Sequence, residues 1–218
     1  MNISNVQNKN NTFKAYKVAT ARNYLNNKQT NIDIYKLTKK DKAFINKLEN
    51  LVYIPDLNIN ISTLAKRRWQ QVLNYGFLKA RTHADTYIAL SDNKPCGMLV
   101  SYKNKKELCL DCISKFPLDI NKGINYIGKS LFYQAFKDAK ENNCDTISLR
   151  AILGGPYNVV EKYKKLGFKE TGSVNNYINM ECNKYKIDES LKELSQEIEY
   201  EKCDDIENID LNKVCDII

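Results

Sequence analysis

Three short strand-like runs follow one another between Thr86 and Ile113 with nothing but turns between them. They are Thr86–Leu90, Cys96–Tyr102 and Glu107–Ile113, joined by Asp92-Asn93-Lys94 and by Lys103–Lys106. Strands so close in sequence pair naturally as an antiparallel meander. The period then changes. Asn121–Phe168 reads as loop, helix, strand, loop, helix. Leu131, Phe132, Ala135, Phe136 and Ala139 share one face of a helix over Ile127–Asn142. Thr146–Ile152 is a strand, and Tyr157–Leu166 is a helix closed by Gly167, a residue type suited to the position after a C-cap.

The elements around this centre complete the order β, α, α, β, β, β, α, β, α, β, β. Residues 1–30 are rich in asparagine and lysine and read as a flexible arm, with a short helix near Tyr16–Leu25. Ile32–Leu37 alternates as a strand. Thr38 and Asp41 are cap candidates for a helix carrying Phe44, Leu48, Leu51 and Val52, which Pro55 ends. A second helix fits Ile61–Tyr75 with Gly76 as its stop, and a hairpin fits Phe168–Val174 and Tyr177–Asn183. From Asp188 on, Leu191, Leu194 and Ile198 keep helical spacing. The expected division is an arm (1–30), a main domain (31–187) and an acidic, partly helical tail (188–218).

At 218 residues, 43% hydrophobic and 28% charged, the chain has an ordinary globular composition with room for one core. No run of 18 apolar residues exists, so a membrane span is not expected. The polar start lacks an apolar signal region, and the seven scattered cysteines form no disulfide framework, so the expected compartment is the cytoplasm. Cys109 and Cys112, three apart in a strand pattern, should point to opposite faces, which disfavours a shared metal; no metal is expected. The net charge of +8 is uneven. Residues 188–218 hold 11 acidic and 3 basic residues, so the tail carries −8 and the remainder +16. A body this basic attracts anions, and the tail is expected to dock on the body or on a second subunit, as in a homodimer. Lys66-Arg67-Arg68 suits a solvated helix face, and no nucleic-acid-binding signature accompanies it. His83, the single histidine, has no partner cluster to recommend it as a base.

Two motifs carry chemistry. Gly123-Ile124-Asn125-Tyr126-Ile127-Gly128, followed by Lys129, sits at a helix start, where unpaired N–H groups and the positive dipole end accept phosphate oxygens. Gly155-Pro156-Tyr157-Asn158-Val159-Val160-Glu161-Lys162-Tyr163-Lys164-Lys165-Leu166-Gly167-Phe168 places a tyrosine before a Leu-Gly-Phe stop. In this element order the two motifs resemble those of the GNAT superfamily of acyl-CoA-dependent N-acetyltransferases, over roughly residues 31–187. The first keeps the last glycine of the pattern Arg/Gln-x-x-Gly-x-Gly/Ala but has Gly123 for its basic residue and Tyr126 for its middle glycine. The second has Pro156 where asparagine is usual and Val159 where alanine is usual.

The resemblance implies an α/β fold of the α+β kind: a mixed, mostly antiparallel sheet flanked by helices and splayed between the strands at Glu107–Ile113 and Thr146–Ile152. It implies acetyl-CoA as cosubstrate and a primary amine as acceptor, whether protein lysine, protein N-terminus or small molecule. Tyr163 matches the acid that protonates the leaving thiolate. Residues 123–129 would cradle the pyrophosphate. Cys112 and Ile113 would offer backbone groups to pantetheine and the thioester carbonyl, and Asn158 is a further cofactor contact. A glutamate on the same strand serves as base in histone-modifying relatives, which aligns Glu107 with that role, with Asp111 as its rival. A fold of this kind that binds acyl-CoA without catalysis is the alternative.

Overall fold

The computed structural model describes residues 15–25, 28–52, 60–82, 84–116, 126–203, 208–209 and 214. Pro55, His83, Gly123, Ile124 and Asn125 lie outside them. One ten-stranded sheet organises the chain. Its strands are β1 (Ala15–Leu25), β2 (Lys28–Lys36), β3 (Asp85–Ser91), β4 (Lys94–Asn104), β5 (Glu107–Lys115), β6 (Thr146–Ile152), β7 (Lys169–Val174), β8 (Tyr177–Asn183), β9 (Glu199–Lys202) and β10 (Asn208–Ile209). The order across the sheet is β10-β1-β2-β3-β4-β5-β6-β8-β7, with β9 also on β1. Every pairing is antiparallel except β5 with β6. The expected mixed, mostly antiparallel sheet is present, and the helices cover both faces.

Helices α1 (Lys42–Leu51) and α2 (Thr63–Ala80) pack on one face, where Phe44, Leu48, Trp69, Leu73 and Phe77 meet Ile88, Met98 and Cys112. Helices α3 (Ile127–Glu141), α4 (Val159–Lys165) and α5 (Lys184–Glu197) cover the other, where Leu131, Phe132, Phe136, Val160 and Leu194 meet Leu108, Leu110, Ile147 and Met180. The five apolar residues read on α3 are all in this second core. Ser62 and Asn183 cap α2 and α5 by accepting backbone N–H groups at 3.2 and 3.1 Å. Asp41 does not cap α1 with its side chain. Its carboxylate instead accepts the backbone N–H and the hydroxyl of Thr38 at 2.6 and 2.8 Å.

The arm is corrected: residues 15–25 form β1, not a helix in a flexible segment. Its sparse apolar residues fit either period locally, and pairing decides between them. β1 bonds β2 from Tyr16 to Leu25, and β9 and β10 line its other edge. The acidic tail docks on the body. Glu199 and Glu201 of β9 bind Arg22 at 3.4 and 2.5 Å, and Asp188 of α5 binds Lys140 at 2.7 Å. Tyr200 stacks on Tyr133 at 4.3 Å between ring centroids.

Gly76 is also corrected. It does not stop α2, which runs on to Ala80. Its role is close approach: a Cβ there would stand 2.6 Å from Cys112 Sγ and 2.8 Å from Cys112 Cβ. Gly76→Ala should therefore destabilise the fold by about 1–3 kcal/mol through overpacking, although alanine is the better helix former. Thermal unfolding of the variant checks this, and an unchanged or raised Tm would refute it.

Beneath β9, α3 buries Asp138, which accepts from Gln134 at 2.8 Å and from Tyr87. Burial pushes its pKa from 3.8 up to about 6. The carboxylate therefore costs the native state nothing below about pH 3.8, and the cost grows as pH rises from there to about 6 and is level above it. Relative to wild type, Asp138→Asn should gain stability as pH rises from 4.5 to 7.5, by on the order of 2 kcal/mol. Denaturant titrations at the two pH values measure the change.

Candidate active site

β5 and β6 part company. Their parallel pairing runs from Glu107↔Thr146 to Leu110↔Leu149 and ends, although β5 continues to Lys115 and β6 to Ile152. Against β4 the register jumps at the same place: Leu110 faces Ser101 and Cys112 faces Val100, so Asp111 is the extra residue of a bulge. A bulge bends its strand and re-aims the side chain it carries. Beyond Leu110, the backbone groups of β5 on the β6 side have no strand beside them.

The opening is a cleft of about 1160 Å³. β5 contributes residues 110–115, β6 contributes Leu149, Arg150 and Ile152, α2 contributes Trp69 and Tyr75, and α4 contributes Tyr163. The start of α3 and the end of α5 complete it.

Asp111 is half-buried in this cleft. Its Oδ1 accepts the Tyr75 hydroxyl at 3.2 Å, while its Oδ2 is buried without a partner. An orphaned acceptor of this kind costs about 1–3 kcal/mol, and such groups mark sites built for something other than stability. Burial pushes the Asp111 pKa up, against the opposing pull of Lys79, the Tyr75 hydroxyl and Arg150. Arg150 is exposed. Its Nη2 donates to the Tyr75 hydroxyl at 3.4 Å, and its guanidinium lies 5.9 Å from the ring centroids of both Tyr75 and Tyr177.

Tyr163 lines the opposite wall. Phe132 meets its ring edge-on at 5.3 Å and Phe168 lies at 6.2 Å. Burial, then the nearby Cys112 sulfur, pushes its pKa well up, so the phenol holds its proton throughout the neutral range. Gly167 ends α4 with φ +84°, the left-handed conformation expected after the C-cap. Phe168 N–H then closes back on the Tyr163 carbonyl at 3.1 Å, which fixes where α4 presents Tyr163.

Of the residues singled out from the sequence, Cys112, Ile113, Tyr126, Ile127, Gly128, Lys129 and Tyr163 line the cleft. Tyr126 is the N-cap of α3 with φ 67°. The N–H groups of the next three residues precede the helix's own ladder, which Ser130 begins by donating to Tyr126 O at 2.8 Å. Among the described residues, a Cβ on Gly128 would meet nothing within 4 Å. Lys129 is ion-paired with Glu197 of α5 and sits 5.2 Å over the Tyr126 ring.

Glu107 and Asn158 do not line the cleft. Glu107 sits where β5 and β6 still pair, at the closed end. Asn158 caps α4, accepting from Glu161 N–H at 3.4 Å. The bulge likewise undoes the expected separation of Cys109 and Cys112. Leu110 faces the α3 core and Cys112, two residues on, faces the α2 core. Cys109, one residue before Leu110, is therefore on the α2 face with it. Among the described residues no group of three or more His, Cys, Asp or Glu is placed to hold a metal, and no described helix is long and apolar enough to cross a membrane.

No family model matches the sequence, and no curated protein matches it. Solved structures do. The apo form of FdhC, a nucleotide-linked sugar GNAT, superposes with a TM-score of 0.54 at 15% identity, over 85% of this chain and 97% of its own. An uncharacterised protein from Bacillus halodurans gives 0.53 at 15% identity, over 83% and 98%. The fold is the GNAT fold.

The ion pair at the start of α3 has a measurable consequence. Glu197 holds the cation that faces any anion arriving at that helix end. Glu197→Gln should tighten binding of inorganic pyrophosphate about 2- to 5-fold at low salt, the range of a helix-end charge interaction. Calorimetry at 50 and 500 mM salt tests it, with the gain shrinking at the higher value.

Proposed function

We propose that the protein transfers an acetyl group from acetyl-CoA to a primary amine by direct attack within a ternary complex. The observation that carries this reading is the cleft itself: an unpaired edge of β5 flanked on one wall by Asp111 and on the other by Tyr163. An extended pantetheine arm can use the unpaired β5 backbone as a partial strand partner. The first-turn N–H groups of Ile127, Gly128 and Lys129 suit a diphosphate. The N–H groups of Cys112 and Ile113 are the candidates for holding the thioester oxygen as charge gathers on it.

An amine must be neutral to attack, and an ordinary lysine-like amine is protonated at neutral pH. Asp111 replaces Glu107 as the proposed base, because it is in the cleft and has an oxygen with no donor. Its orphaned Oδ2 is buried, so it takes the amine's proton through the Tyr75 hydroxyl that its Oδ1 holds. The amine nitrogen forms a bond to the acetyl carbon and gives up its second proton to water, the carbon–sulfur bond breaks, and the thiolate takes the proton of Tyr163. Desolvation keeps the phenol protonated until then.

Tyr163→Phe should lower kcat by ~100-fold and leave the acetyl-CoA KM within about twofold. Asp111→Asn should lower kcat/KM for the acceptor by a similar factor, while Glu107→Gln leaves it unchanged. Steady-state rates of thiol release with a competent amine measure all three. Unchanged rates in both the Tyr163 and Asp111 variants would remove the mechanism, and absence of coenzyme A binding would remove the function.

A further inference from the structure

The α2 side of the cleft carries an unusual set of charges. Arg150, Lys115 and Lys162 all line it, and among the described residues none of them has a carboxylate within 4 Å. Each is instead held against aromatic rings. Arg150 lies 5.9 Å from the centroids of Tyr75 and Tyr177, and Lys115 and Lys162 stand 4.8 and 4.5 Å from that of Tyr157. Such contacts fix a cation without neutralising it. Among the described residues the cleft lining holds three carboxylates, Asp111, Glu193 and Glu197, and the last is paired with Lys129.

Arg150 and Asp111 are tied through one atom. The Tyr75 hydroxyl donates to Asp111 Oδ1 at 3.2 Å and accepts from Arg150 Nη2 at 3.4 Å. The guanidinium therefore stands no farther from the carboxylate than these two hydrogen bonds end to end. A fixed, exposed cation and a carboxylate lacking one donor are thus held a few bond lengths apart.

Resting on acetyl transfer to an amine as the activity of this cleft, we propose that the acceptor is a small amine bearing its own anionic group, a carboxylate or a phosphate, a few bonds from the nitrogen. The amine meets the Tyr75 hydroxyl, which passes its proton on to Asp111 Oδ1. The anionic group takes the free face of Arg150, whose planar fork suits either anion. Lys79, which stands 5.3 Å over the Tyr75 ring, adds to a cationic rim that opposes polyamines. The same cations depress the pKa of an amine held among them, which favours its neutral, nucleophilic form.

Matched acceptors test the proposal. Initial rates with acetyl-CoA are compared for β-alanine against β-alaninamide, glycine against glycinamide, glucosamine 6-phosphate against glucosamine, and spermidine as a polycation. For at least one pair the anionic member should exceed its neutral partner at least tenfold in kcat/KM, and spermidine should rank below it. The pair that shows the preference distinguishes carboxylate from phosphate. Arg150→Gln should erase the preference through the acceptor KM with the acetyl-CoA KM unchanged, and Arg150→Lys should restore part of it. A neutral partner or spermidine ranking first, or a preference that survives in Arg150→Gln, overturns the proposal while leaving acetyl transfer standing. Transfer to no member, with coenzyme A still bound in calorimetry, overturns it as well. Failure to bind coenzyme A overturns the parent activity.

Discussion

The parting of β5 from β6 is the constraint on which the remainder of the molecule depends. Two parallel strands at the centre of a sheet ordinarily stay paired, because each unpaired buried N–H or carbonyl costs about as much as a lost hydrogen bond. Here the ladder stops at Leu110 and Leu149 while both strands continue. The bulge at Asp111 bends β5 away, and the helices on the two faces hold the strands apart from outside. On the α2 side the hold is tight: the α2 backbone at Gly76 closes onto Cys112, and Trp69 Nε1 donates to Ser114 at 3.0 Å. On the other side the cluster of Phe132, Phe136, Tyr163 and Phe168 wedges α3 and α4 together under the opening.

Charge is arranged around the same opening. The +16 body and −8 tail do not simply neutralise one another across the surface. The tail spends its carboxylates on specific partners, with Glu199 and Glu201 on Arg22, Asp188 on Lys140 and Glu197 on Lys129. Only the last of these reaches the cleft, where Glu193 also lines the wall. One end of the cleft therefore presents a helix N-terminus screened by acidic side chains. The other presents cations held only by aromatic rings. Exposed pairs of this kind add little to stability, so their placement speaks to what enters the cleft more than to what holds the fold.

Much of this was legible in the residue order. The meander over β3–β5, the helix α3, the strand β6 and the glycine after α4 all follow from periods and stop signals, and the structure reproduces them within a few residues. Four features were not legible, each for a physical reason. β1 has too few apolar residues to declare a period, and its conformation is set by pairing, with β2 along its length and with β9 from more than a hundred residues away. Gly76 looks like a helix stop because close packing against Cys112 leaves no local mark. The choice between Glu107 and Asp111 turns on where β5 leaves β6. A bulge shifts the face of every later side chain without altering the composition around it. Asp138 escaped notice because its partners outside α3, Tyr87 of β3 and Lys36 of β2, arrive from distant strands.

In the proposed reaction the two titrating groups sit in walls that differ in kind, and this bears on how a cycle closes. Tyr163 is on a helix, ringed by Phe132 and Phe168, with no route to a proton except through the cleft. Asp111 is on a strand and is coupled through Tyr75 to the exposed Arg150. After one transfer Asp111 carries an added proton and Tyr163 lacks one. A phenolate in that apolar wall is strongly disfavoured, so it recaptures a proton as soon as water enters behind the departing thiol. Asp111 can discharge its proton toward the Arg150 mouth, where a neighbouring cation favours the carboxylate. The protons therefore run in one direction, in through the coenzyme side and out through the acceptor side. Burial on the one wall and cations on the other set that direction without any further ionisable group.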